Sequence, residues 1–157
     1  MASNIAIREA TPEDALRLAE LRYEFRAALA GAIEDREGFL RRCSAWMSSR
    51  LVENWKCWVA ACGEVIIGQV WLQLLEKLPN PVGEPERHGY ITNLYVTPEF
   101  RGGIGGKLLE QALEWAKQQN VDAVVLWPTP RSRSLYLRHG FMEPVDCLEM
   151  RSGGRRL

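Results

Sequence analysis

The chain has no excess charge of either sign: 20 Lys and Arg residues balance 20 Asp and Glu among 157 residues. Proteins that grip nucleic acid carry a basic surplus, because they displace counterions from phosphates, so no nucleic-acid partner is expected. Long hydrophobic runs are missing too. The longest strictly apolar stretch is 57–62, far below the ~18 residues that suggest a membrane span, so no membrane partner is expected. Residues 1–8 show no basic flank followed by an extended apolar stretch, and no signal peptide is read there. Histidine is scarce, with only His88 and His139, and Cys43, Cys57, Cys62 and Cys147 form no Cys-x-x-Cys pair. No metal site is expected, and the cysteines read as reduced core thiols of a cytoplasmic protein. What is present is ordinary globular material, 46% hydrophobic and 25% charged, in a length that suits one domain over 1–157. A chain this long buries roughly two thirds of its unfolded surface, enough for a core without staples.

Hydrophobic spacing then divides the chain. Ile5 and Ile7 mark a short strand. Thr11, Pro12, Glu13 and Asp14 follow, supplying a capping hydroxyl, a proline at the first helical position and acids in the first turn. Leu16, Ala19, Tyr23, Ala27 and Ala30 recur at helical spacing, and a second helix is read over 35–51. The pattern turns extended at 58–61 and 65–75, joined through Gly63-Glu64, which is a hairpin signal. Pro79, Pro81, Gly83 and Pro85 make 78–85 a loop. A strand over 89–96 stops at Thr97-Pro98, and a glycine cluster leads into a helix with Leu108, Leu109, Ala112, Leu113 and Ala116 on one face. A buried strand over 121–127, a short helix over 131–139, a last strand over 141–150 and a frayed polar tail over 151–157 complete the reading. The order implies an α/β fold with a mixed α+β sheet flanked by helices.

The strongest chemical signal is four glycines in five positions, Gly102, Gly103, Gly105 and Gly106, between a strand and a helix. Such a turn lets backbone N–H groups approach an anion at a helix N-terminus, where the dipole also favours negative charge. Two phosphate-binding devices are excluded by spacing. A nucleotide P-loop needs Ser or Thr after Gly-Lys, but Leu108 follows Lys107; a dinucleotide fingerprint would need glycine at Leu108.

Residues 94–109, reading Leu-Tyr-Val-Thr-Pro-Glu-Phe-Arg-Gly-Gly-Ile-Gly-Gly-Lys-Leu-Leu, resemble the acetyl-CoA signature of the Gcn5-related N-acetyltransferase (GNAT) superfamily. Leu135, Tyr136, Gly140 and Phe141 resemble its second motif, and the opening 5–14 resembles a typical start. The specific motifs span 89–141. The resemblance implies a GNAT-like fold, acetyl-CoA as co-substrate, and cofactor contacts from Leu94, Val96, Arg101, Gly102, Gly103, Ile104, Gly105, Gly106, Lys107, Ser132 and Tyr136. Leu94 and Val96 would pair through their backbone with pantetheine, and both are equally readable as core strand residues. The loop is one residue shorter than the family pattern, which leaves the role of Arg101 open.

Acetyl transfer needs a neutral amine and a proton for the departing thiolate. Tyr136 matches the family's tyrosine acid, though it also suits the packed face of a short helix. The family's strand base falls here on Tyr90 or Thr92, neither of which takes a proton at neutral pH. Glu86 and His88, just upstream, are the candidates for a relay through water, or else exposed loop residues. His139 sits at a helix end, where a cation complements the dipole. Acceptor recognition should come from the first two helices, their loop and the proline loop after the hairpin; Tyr23, Phe25, Trp46, Trp55 and Trp71 are the large aromatics there, core or wall, and Glu24, Glu34 and Asp35 either attract an amine or form a solvated face. The reading is direct acetyl transfer to a primary amine of a small molecule or peptide. An acyl-CoA-binding regulatory module is the alternative, and homodimerisation stays open.

Overall fold

Strands β1 (Ile5–Glu9), β2 (Trp55–Cys62), β3 (Val65–Glu76), β4 (Arg87–Val96) and β5 (Ala123–Val125) lie side by side in that order in a computed structural model describing residues 4–32 and 34–153. Neighbours are antiparallel as far as β4, and β5 runs parallel to β4, so the sheet is mixed. The β2–β3 hairpin closes over Gly63-Glu64, with Cys62 opposite Val65 and Gly63 at φ +61°. A glycine at the first central position is what a type II′ turn requires.

Helices α1 (Ala15–Ala30) and α2 (Arg36–Arg50) cover one face. Leu18, Leu21, Leu40 and Met47 pack there with Cys57, Val59, Trp71 and Tyr95 of the sheet. Helix α3 (Ile104–Gln118) covers the other face, burying Ile104, Leu108, Leu109, Ala112 and Ala116. Strand alternation explains the division: Cys57 and Val59 point to α1 and α2, while Trp58 between them meets Trp115 of α3 at 5.7 Å. Helix α3 approaches closely because β3 carries Gly68, where a Cβ would lie 3.0 Å from the Tyr95 carbonyl oxygen and 3.2 Å from Leu108. The expected α1 face is rotated. Leu18 and Leu21 set its inward side, which leaves Leu16 56% exposed. No helix among the described residues is long and apolar enough to cross a membrane.

These elements belong to a first unit, 1–126; residues 127–157 form a second. The second holds helix α4 (Arg133–Arg138) and, among its described residues, no strand. The expected strand over 141–150 does not form. Pro144 cannot donate to a ladder, and Met142, Val145, Leu148 and Met150 are each more than 80% exposed. Strand β5 is likewise shorter than 121–127 and not buried, since Ala123 and Val125 are exposed. Of the thiols expected in the core, only Cys57 is buried; Cys43 and Cys62 are half-buried, Cys147 is exposed, and all four are free. Residues 154–157 of the expected tail, and 1–3 of the opening, lie outside the described residues.

Candidate functional site

The glycine loop is built by backbone geometry that only glycine holds without strain. Gly102 and Gly103 have φ of +121° and +112°, and Gly103 caps α3. The first bond of the helix ladder is donated by Lys107 N to the Gly103 carbonyl at 3.2 Å. The amides of Ile104, Gly105 and Gly106 precede that bond, so they are the bare donors every helix N-terminus presents. No side chain caps them, and a Cβ added at Gly102 or Gly103 would meet nothing within 4 Å, so the space over the turn is open. Beside the loop, the Thr97 hydroxyl is buried without a partner. An open cradle of bare amides plus an orphaned buried hydroxyl fits a phosphate-bearing cofactor. Ile104 belongs to it through its amide alone, because its side chain is core; the Lys107 side chain is exposed.

Strand β4, which feeds the loop, is broken on both sides. Its pairing with β3 skips a residue: Tyr95 faces Gln69, Thr92 faces Trp71, and Asn93 and Leu94 together oppose Val70. This is a β-bulge, and Asn93 sits in it at φ +56°, a left-handed conformation that asparagine tolerates. On the other side, β5 pairs only with His88, Gly89 and Tyr90. From Ile91 onward, beyond β5's three residues, β4 has no ladder partner on that side among the described strands, which leaves backbone donors and acceptors available to an extended ligand. Leu94 and Val96 lie in this segment. The Val96 carbonyl, however, accepts a hydrogen bond from Arg101 Nε at 3.1 Å, and that guanidinium stands 5.8 Å from the Tyr95 ring. Arg101 thus braces the end of β4.

On the second unit, Tyr136 is buried edge-on to Phe141 at 5.6 Å. Burial pushes its phenol up to about 12, partly offset by a hydrogen bond with Ser132. It therefore keeps its proton throughout the neutral range. Ser132 is engaged in closing the turn into α4: its hydroxyl donates to the Thr129 carbonyl at 3.2 Å and accepts from Thr129 N at 3.0 Å. Ser134 accepts from Arg138 at 3.3 Å. His139 Nδ1 lies 2.8 Å from the Leu135 carbonyl at the helix end, as read from its position.

The base candidates are placed apart. Glu86 accepts from Asn80 N at 3.0 Å and closes the proline loop. His88 is a half-buried strand residue whose Nδ1 has no partner. It shares a face with Tyr90 and Thr92, but four residues of strand put it about 13 Å from Thr92. The acids expected to attract an amine are occupied: Glu24 lies 3.6 Å from Arg17, Glu34 pairs with Arg42 at 2.7 Å, and Asp35 caps α2 by accepting from Gly38 N at 2.7 Å.

Sequence reading missed Asn93, Arg22 and Gln69. Arg22 Nη1 donates to Asn93 Oδ1 at 3.3 Å, joining α1 to the bulge across 71 residues of chain. Gln69, fully buried, donates to the Leu18 carbonyl at 3.0 Å and accepts from Trp71 Nε1 at 2.8 Å. The only available signal was an asparagine inside an otherwise β-prone run, where it is disfavoured unless the strand is irregular.

Comparison with known proteins agrees with this arrangement. The chain is 36% identical over 95 residues to an uncharacterized N-acetyltransferase of Archaeoglobus fulgidus, covering 60% of this chain and 57% of that relative. A predicted acetyltransferase of Clostridium acetobutylicum, solved with acetyl-CoA, superposes with a TM-score of 0.74 at 24% identity, covering 94% of this chain and 96% of that one. A GCN5-related N-acetyltransferase of Ralstonia eutropha JMP134 gives the same TM-score and identity over 96% and 100% of the two chains. Both solved structures share the fold: a mixed five-stranded sheet flanked by helices. The family model described as Acetyltransferase (GNAT) family matches residues 18–141, from α1 through the glycine loop to Phe141, and the chain belongs to that family.

Proposed function

We propose that the protein transfers an acetyl group from acetyl-CoA directly to a primary amine of a small molecule or peptide, with both units serving one domain. The observation that carries this reading is the left-handed Gly102–Gly103 turn opening onto bare α3 amides, where β4 loses its β5 neighbour. Acetyl-CoA supplies the thioester-activated acetyl group. The amides of Ile104, Gly105 and Gly106 hold its phosphates, and the free edge of β4 around Leu94 and Val96 orients the pantetheine arm. Tyr136 donates a hydrogen bond to the departing sulfur. Its phenol near 12 is a weaker acid than a thiol of about 8.5. It therefore stabilises the thiolate as a donor, and water completes the protonation. The amine proton leaves through water towards His88 or Glu86, since neither stands beside the bulge.

Acetyl-CoA should raise Tm, because a ligand that binds only the folded state stabilises it by mass action, whereas ATP and NAD should do so far less. Gly103→Val forces a β-branched residue into φ +112° and should abolish that shift while the sheet stays folded. Equal stabilisation by NAD and acetyl-CoA would sink the reading. Turnover with a panel of amines, followed by CoA release, then separates an enzyme from a binding module. In those assays Tyr136→Phe should lower kcat by roughly ten- to a thousandfold with acetyl-CoA affinity kept. Glu86→Gln and His88→Gln should each cost less than about tenfold in kcat/KM. Unchanged turnover in Tyr136→Phe would reduce that tyrosine to a packing role.

A further inference from the structure

The face of the sheet that carries the β4 bulge holds cationic charge with no anion to answer it. Arg22 projects from α1 to the bulge, half-buried, and its one hydrogen bond goes to the neutral Asn93 amide oxygen at a long 3.3 Å. Among the described residues neither Arg22 nor Arg26, one helical turn further along, forms an ion pair. Desolvation and the nearby Arg26 both weaken the hold of Arg22 on its proton, while Cys43 and Tyr90 are the other titratable groups around it. Four acids of these helices and the turn between them are spoken for, and Glu37 is exposed at the start of α2. Glu20 sits between Arg17 at 3.1 Å and Arg36 at 3.9 Å, and Glu24, Glu34 and Asp35 have the partners given above.

A guanidinium taken partly out of water without a counter-ion is costly, and a fold keeps one where something returns the energy. Its planar fork of five donors matches a carboxylate in two parallel bonds, and Asn93 occupies only part of it. The position is also right for the reaction. Asn93 lies in the segment where β4 leaves both neighbours, three residues before Val96, and Tyr90 on the same strand sets its ring edge-on to Trp55 at 6.3 Å. A site meant for a polyamine would present carboxylates here; the side chain that reaches the bulge is an arginine.

We infer that Arg22 is the anchor for a carboxylate on the acceptor, so the amine acetylated by this protein belongs to the amino-carboxylates: free amino acids or molecules that carry an amine and a free carboxylate. The inference rests on the acetyltransferase reading and names the acceptor class of that same site. A purely structural alternative exists, in which Arg22 only braces Asn93 and the bulge, and it makes a different prediction.

The decisive experiment compares amino-carboxylates, with the amine at the α position and progressively further away, against their carboxamide twins. At least one acid should be acetylated with kcat/KM about tenfold or more above its amide, the scale of a partly desolvated ion pair. Arg22→Gln should erase that preference chiefly by raising KM for the acid, and Arg22→Glu should reverse it in favour of the amide. Folding of both variants is read from their acetyl-CoA Tm shift, which does not depend on the acceptor. If every amide matches its acid, this inference is overturned and the acetyltransferase reading stands. If Arg22→Gln slows acid and amide equally, Arg22 is a brace and the inference is again overturned. No CoA release with any member of the panel overturns this inference, and the acetyltransferase reading is then decided by the wider amine panel.

Discussion

On the face covered by α3, the packing is apolar: Ile104, Leu108, Leu109, Ala112 and Ala116 meet a sheet kept smooth by Gly68. On the face covered by α1 and α2, polar groups are drawn into the packing itself. Gln69 spans from the Leu18 carbonyl to the Trp71 indole, Arg17 Nε donates to the Ile66 carbonyl at 3.1 Å, and Arg22 reaches Asn93. Trp46, Trp55 and Trp71 cluster at 5.5–6.0 Å on the α2 side, while Trp58 and Trp115 pair on the α3 side. The difference matches the two tasks proposed for the site. In the proposed reading, a cofactor common to many enzymes would be held by backbone amides on the α3 side. An individual acceptor has to be recognised by side chains, and those stand on the other face.

Matched substitutions on the two faces sharpen this contrast. Leu108→Ala removes a fully buried side chain from a dry interface and should cost roughly 2–5 kcal/mol, transfer and cavity together. Gln69→Leu keeps the volume but strands the Trp71 N–H and takes a second donor from the Leu18 carbonyl, which should cost about 1–3 kcal/mol. Denaturant midpoints at fixed m-value give both numbers. The contrast predicts a second difference: Gln69→Leu, placed directly opposite Tyr95 at the bulge, should raise KM for the acceptor. Leu108→Ala should leave acceptor KM alone. A Gln69→Leu variant as stable as the parent would break the comparison, since it would show that the buried amide is incidental.

The same contrast explains what could be read from the sequence. The α3 face was legible because one amphipathic helix and one left-handed glycine turn are both local: period and glycine spacing fix them within twenty residues. The β2–β3 hairpin was legible through Gly63 for the same reason. The bulge at Asn93 was not, because it depends on how β4 pairs with β3, and the Arg22–Asn93 bond spans 71 residues. Residues 141–150 mislead in the opposite direction. Their apolar residues advertise a strand, but a strand exists only with a partner ladder, and Pro144 with fully exposed Val145 and Leu148 shows that none is formed. Glu86 and His88 are a third case: they lie just upstream of the bulge segment in sequence, and four residues of strand set His88 about 13 Å from Thr92, the separation that the proposed water relay has to bridge.

The smallest effect tests how the α1 face is entered rather than how it is packed. Asp14 stands at the N-terminus of α1, accepts from Thr11 N at 2.9 Å, and is gripped by both terminal nitrogens of Arg8 at 2.8 and 3.0 Å. The Arg8 guanidinium, above all, holds the Asp14 carboxyl below its ordinary range. Asp14→Asn keeps an acceptor for Thr11 but loses the charge, and with Arg8 46% exposed solvent screening limits the loss to about 1 kcal/mol. The sign with pH follows from the depressed carboxyl. The wild-type advantage is complete above the unfolded value of about 3.9 and disappears as pH falls through the lower folded value. Urea midpoints of wild type and Asp14→Asn should therefore differ at pH 7, stay equally far apart at pH 5, and converge below pH 4. A gap that persists unchanged to pH 2 would mean that the cap geometry, and not the Arg8 charge pair, is what Asp14 contributes.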